Sequence, residues 1–235
     1  LDDPRPPGAA SARGWQLTDS TAVAQPRKPA EARQTQAERR SRSEGRIINA
    51  ALEVIAARGV SRMTLAEVGE RAGYSRGLAA HLFGTKAHLL RECVRRMNAD
   101  HWMTGLPPAG PDSGLAELRT SVRRWFREIE GKKPFSRAYY ALIQEANCES
   151  SDEYWPDLCA VVREMILGGQ ERYADYIRAA VARGEAAADL DPEMEALLLH
   201  AAVRGVGLQW LIRPESVDLA RVRDAVLAKI DAFGR

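Results

Sequence analysis

Apolar residues in this chain recur every three or four positions, and that period constrains the fold more than any other feature. Ile47, Ile48, Ala51, Leu52 and Ile55 form one such stripe. Leu115, Leu118, Val122, Trp125 and Ile129 form a second, and Leu219, Val222, Val226, Ile230 and Phe233 a third. An α-helix turns once in about 3.6 residues, so side chains at these spacings share one face. A half-buried strand needs strict alternation between turn signals, and no segment supplies it. The expected fold is therefore all-α. Breaks fall at Gly59, Gly73, Gly84 with Thr85, residues 105–114, Gly131, and residues 148–152, 184–191 and 213–217, where Gly, Pro, Ser and Asp interrupt the period.

The period starts near Ser43. Residues 1–42 carry Pro4, Pro6, Pro7, Pro26 and Pro29 among Ala, Ser, Gln and Arg, with no apolar stripe to drive packing. They read as a Pro/Arg-rich extension. Charge is uneven as well: residues 1–100 hold 17 basic and 11 acidic residues, whereas residues 101–235 hold 17 and 21. The near-neutral total of +2 thus joins a basic half to an acidic one.

Several function classes are disfavoured. No apolar run approaches the roughly 20 residues that span a bilayer, and the first residues lack the apolar core of a secretory signal. Cys93, Cys148 and Cys159 are odd in number and follow no CxxC spacing, so neither a disulfide framework nor a zinc site is expected. A reduced, cytoplasmic setting follows. His81, His88, His101 and His200 are scattered without carboxylates at metal-ligand spacing, and GxSxG, P-loop and HExxH patterns are missing. No catalytic residue, metal or cofactor is expected.

Residues 64–90 carry the strongest local signal. Thr64 and Glu67 have the spacing of a capping box, in which the Thr hydroxyl satisfies the third amide and Glu reaches back to the cap. A short helix to about Ala72, a turn at Gly73, a cap at Ser75 and a second short helix to about Phe83 make a helix-turn-helix. In that motif the N-terminal residues of the second helix face base edges in the major groove.

These residues resemble the N-terminal domain of the TetR/AcrR family of bacterial transcription regulators. The likeness runs from Arg46 to Leu90: an Ala-rich helix ending in Ala57-Arg58-Gly59, the Thr64 cap, AEVGERAG, then Ser75-Arg76-Gly77, and Phe83-Gly84 followed by Lys86. The segment from Asp191 to Asp218 is similar to the helix that the family uses for dimerisation. Two positions depart from the common pattern. Ala80 stands where an aromatic is usual, and Leu82 where His is usual. An interaction protein that has lost DNA binding is the alternative these two positions raise.

The resemblance implies an N-terminal three-helix DNA-binding domain over 43–90 and a helical ligand-binding and dimerisation domain over 91–235. It implies double-stranded DNA, a small-molecule ligand and a second copy of the chain as partners, with no membrane. Thr64 and Ser75 would offer helix N-termini to phosphates, and Lys86 would neutralise another. Arg76 would contact guanine in bidentate fashion, Gly77 would let the backbone approach DNA, and Leu78 and His81 would meet a thymine methyl and a phosphate or base. Packing and solvent exposure stay open for those last two. The basic stretch from Arg27 to Arg46 reads either as a solvated linker or as an arm suited to phosphate or minor-groove contacts.

Ten of the fifteen aromatic residues lie between Trp102 and Tyr176. Where the resembling family holds its ligand, the candidates are His101, Trp102, Trp125, Phe126, Tyr139, Tyr140, Gln144, Asn147, Trp155, His200 and Arg204. A mainly apolar or aromatic ligand would suit them. His200 and Arg204 are one helical turn apart, which suits an anionic group or an interface salt bridge equally. Ala201, Gly205, Gly207 and Trp210, with Val222, Val226 and Ile230, are the candidates for a dimer interface.

Overall fold

The computed structural model describes residues 35–99, 110–131 and 133–234. Among these, every regular element is helical: α1 (Gln36–Arg58), α2 (Leu65–Arg71), α3 (Arg76–Phe83), α4 (Lys86–Met97), α5 (Leu115–Gly131), α6 (Lys133–Asn147), α7 (Trp155–Ala182), α8 (Pro192–Ile212) and α9 (Leu219–Asp231). The all-α expectation holds. Within the described residues the breaks coincide with those read from the sequence, and Asp191 and Asp218 cap α8 and α9 by accepting from Met194 N and Arg221 N at 3.0 Å.

One boundary moves. α1 begins at Gln36, inside the stretch expected to be extension. Its first turns are exposed and have no apolar face, so period gave no warning of them. Good helix formers and the Arg40–Glu44 pair, one turn apart at 2.8 Å, support this end instead. The remainder of the expected extension, residues 1–34, lies outside the described residues.

Two apolar cores organise the helices. The first joins α1–α4 to α6 and the N-terminal half of α7, with Ile47, Leu52, Leu90, Leu142 and Leu158 almost fully enclosed. The second joins α5, the C-terminal half of α7, α8 and α9 around Leu118, Ile129, Tyr176 and Ile230. α7 has 28 residues and spans both cores, a rod of about 42 Å at 1.5 Å per residue. Tyr140 packs against both. The helices after α4 are thus not a separate body hung from the first four. Among the described residues no helix is long and apolar enough to cross a membrane.

Candidate functional site

The helix-turn-helix is assembled by α2, α3 and the turn between them. Thr64 accepts from Glu67 N at 3.2 Å, which is half of the expected capping box. The Glu67 carboxylate does not return to the cap amide but binds the Arg58 guanidinium at the end of α1. A charge-assisted bond outcompetes a neutral amide, and the pair ties α1 to α2. Gly73 takes φ +80°, a conformation that suits Gly, and Tyr74 N donates to Gly69 O at 3.0 Å. Gly69 is constrained differently. A Cβ there would lie 2.7 Å from Ser75 O, so α2 crosses the start of α3 only because this residue has no side chain.

α3 is held from behind by buried Ala79 and Phe83. Ser75, Arg76, Gly77 and His81 are exposed. The Ser75 hydroxyl makes no cap bond, and Gly77 has open space where a Cβ would be. Arg76 is 76% exposed and pairs with Glu70. Leu78 is half-buried and packs on the first core, as does Leu82, so packing claims part of the Leu78 surface. Lys86 opens α4, behind the Thr85 cap. Its ammonium donates to Ser61 O at 3.1 Å and lies 4.2 Å from the Tyr154 ring centroid.

Tyr74 escaped the sequence reading. It sits in the turn of the motif with the Arg46 guanidinium 5.1 Å over its ring. A hydrogen bond with Ser43 and the charges of Arg46 and Arg42 hold its phenol below the usual tyrosine range. The turn therefore grips the basic face of α1. A Tyr beside Gly73 was the available signal, but its partners are some thirty residues away in sequence.

In the second half, buried Trp125 and Phe126 meet edge-to-face at 5.0 Å, and buried Tyr139 meets half-buried Tyr140 at 5.1 Å. α8 closes on them. The Tyr140 hydroxyl donates to Arg204 O at 2.6 Å, the Arg204 guanidinium lies 5.0 Å over the Tyr139 ring, and His200 meets Tyr173 edge-on at 5.8 Å. Burial pushes the Tyr139 phenol up to about 12 and His200 down to about 4. Five expected ligand residues, Trp125, Tyr139, Tyr140, His200 and Arg204, thus gather on α5, α6 and α8, whereas Phe126 lines a surface groove with Trp210 and Leu219. Gln144 and Asn147 do not join them; both are exposed toward the end of α6. Asn147 and half-buried Trp155 line a separate surface groove of about 510 Å³. His101 and Trp102 lie outside the described residues.

The interface candidates divide as well. Ala201 and Gly205 are exposed, and Val222 and Val226 are half-buried against the second core. Gly207, Trp210 and Ile230 are buried within the subunit. A Cβ on Gly207 would strike the Tyr140 hydroxyl, Ile129 and Trp125, so this glycine lets α8 close on α5 and α6. The outward face of α8 instead presents Met194, Leu197, Leu198, Leu208 and Ile212, each at least 44% exposed.

Comparison with known proteins decides the family. A model described as bacterial regulatory proteins of the tetR family matches residues 47–93. A second, described as the C-terminal part of BetI-type transcriptional repressors, matches residues 115–235. The chain belongs to the TetR family. It is a TetR-family transcriptional regulator with a helix-turn-helix. The HTH-type transcriptional regulator TtgR of Pseudomonas putida is 29% identical over 178 residues, which are 74% of this chain and 82% of that one. A structure from Rhodococcus sp. assigned to the TetR family is 25% identical with a TM-score of 0.68, over 83% of this chain and all of the other. The SmeT–triclosan complex shares the TetR fold at 24% identity and TM-score 0.68, over 80% of this chain and 91% of that one.

Proposed function

We propose that the protein binds an approximately palindromic operator in double-stranded DNA as a homodimer, acting in the cytoplasm as a repressor that a small molecule releases. In this reading residues 43–90 are the DNA-binding domain and residues 91–235 the ligand-binding and dimerisation domain. The observation that carries it is the exposed N-terminal part of α3. Ala79 and Phe83 anchor the helix, while Ser75, Arg76, Gly77 and His81 are offered outward at its N-terminal end and middle. Arg76 is the guanine reader and Gly77 admits the DNA surface. His81 adds a donor, and Leu78 has only its outer edge for a thymine methyl. Thr64, Ser75, Lys86 and Arg46 take phosphates, which supply most of the affinity.

A dimer supplies two such helices about 34–36 Å apart, one turn of DNA. The apolar outer face of α8, with Ala201 and Gly205 among its leucines, is the surface a second copy would cover. The ligand sits among Trp125, Tyr139, Tyr140, His200 and Arg204. Its effect on DNA travels through α6 and α7, which pack on both the first four helices and α8. A ligand shifts DNA affinity only by its differential affinity for the two conformations.

Binding to random duplex DNA, followed by fluorescence anisotropy across a salt series, tests this. Salt-sensitive binding that disappears when Arg76→Ala is combined with Lys86→Ala supports the regulator. No binding at low salt sinks it and favours an interaction protein. Genome-wide capture of bound DNA then identifies the operator.

A further inference from the structure

The effector site contains one charged donor atom that the described residues leave without an acceptor. Arg204 Nη2 is shut off from solvent and makes no hydrogen bond. Among the described residues no carboxylate lies within ion-pair distance of this guanidinium, although the other arginines of the sensing half include several in ion pairs, such as Arg119 with Asp231 and Arg178 with Asp175. A buried donor without an acceptor is costly, and more so when charged, so a folded protein keeps one chiefly where function recovers the cost.

What surrounds Arg204 narrows the occupant. The Arg204 charge acts on the phenols of Tyr139, Tyr140 and Tyr173, each of which burial holds protonated at neutral pH. His200, one turn away on α8, is held neutral by burial and by that same charge. The cluster thus has one positive charge, hydroxyl groups that donate, and no negative group. Aromatic enclosures often hold quaternary ammonium ions, but here the face of Tyr139 is already occupied by the protein's own cation. A second cation would be repelled. A salt bridge to a partner chain is disfavoured too, because Nη2 faces the interior.

We infer that Arg204 is the anion-binding group of the effector site between α6, α7 and α8, and that the effector is a monocarboxylate on an apolar body. The carboxylate accepts from Arg204 Nη2, and the apolar body lies against the aromatic side chains. This rests on the effector reading above, yet its test needs no DNA and fails separately from it.

The full chain is titrated calorimetrically with benzoate and octanoate, with their neutral amides, and with benzyltrimethylammonium. At least one carboxylate binds, its amide binds about tenfold or more weakly, and the ammonium ion does not compete. Arg204→Met removes the preference for carboxylate over amide, and so does Arg204→Gln, with helicity followed by circular dichroism. The proposal is overturned if neither carboxylate binds, if amides bind as well, or if both variants keep the preference. Failure of both variants to fold also overturns it, since Arg204 would then be a structural group.

Discussion

The Lys86 ammonium lies 4.2 Å from the centre of the Tyr154 ring, joining the first turn of α4 to the start of α7. The Tyr154 hydroxyl is within hydrogen-bonding distance of both Glu145 (2.6 Å) and Asp152 (2.9 Å), so the lysine sits above an aromatic ring backed by two carboxylates. Burial lowers its pKa, and those carboxylates counter the shift. A lysine expected on a DNA phosphate is therefore seated on the sensing half. If Lys86 leaves this seat for a phosphate on binding, Lys86→Ala lowers the slope of log affinity against log salt by about 0.9 per subunit. An unchanged slope means that the ammonium stays on Tyr154 in the complex.

Arg76 faces a similar choice. Its ion pair with Glu70 is exposed, so solvent and salt screen most of the attraction. Glu70→Gln frees the guanidinium for DNA and removes a negative charge from the surface that approaches it. Duplex affinity should rise up to about fivefold, with thermal stability nearly unchanged. A fall in affinity would mean that Glu70 orients Arg76 rather than restrains it.

Gly69 and Gly77 make opposite predictions from the same substitution. Gly69→Ala drives a Cβ into the Ser75 carbonyl and costs about 1–3 kcal/mol in chemical denaturation, with α3 displaced. Gly77→Ala meets nothing within the protein and leaves stability equal or up to about 1 kcal/mol higher. Its penalty appears only in DNA affinity, read by anisotropy.

Leu197 and Leu208 lie on the outer face of α8, 44% and 46% exposed. Replacing both with Glu should convert a dimer in sedimentation velocity to a folded monomer, with circular dichroism retained. A variant that still sediments as a dimer moves the interface off this face.

His200 provides a pH test. Its pKa is lowered to about 4 by burial and by Arg204, against about 6.5 when unfolded. The unfolded chain thus takes up this proton first, and stability is lost as pH falls from about 6.5 toward 4. Between pH 7 and pH 5 the loss from this residue is about 2 kcal/mol. His200→Gln should remove that part of the pH dependence in urea denaturation, and an identical pH profile would show that His200 is accessible to protons in the fold.

Much of the reading head was legible before any coordinates. Thr64 and Gly73 act within four residues of themselves, so their identity and spacing suffice to specify cap and turn, while Ser75 stands at the helix start without making the expected cap bond. The grip of Tyr74 on Arg46 and the seat of Lys86 on Tyr154 were not legible, because their partners are 28 and 68 residues away. Glu67 shows the same limit on a smaller scale: its spacing suited the Thr64 cap, yet Arg58 on a neighbouring helix claimed it.

That this chain is helical, where its helices break, and which short segment carries the helix-turn-helix are all readable from the residues alone. Each is a matter of local period and backbone preference. Which way α8 faces is set by packing. That helix is apolar around most of its circumference, so its own residues do not say whether Gly207 and Trp210 or Leu197 and Leu208 turn outward. Packing against α5, α6 and α7 turned the first pair inward and left the second pair exposed. It also laid the Arg204 guanidinium over the Tyr139 ring with no carboxylate partner among the described residues, because burial depends on every neighbouring helix at once.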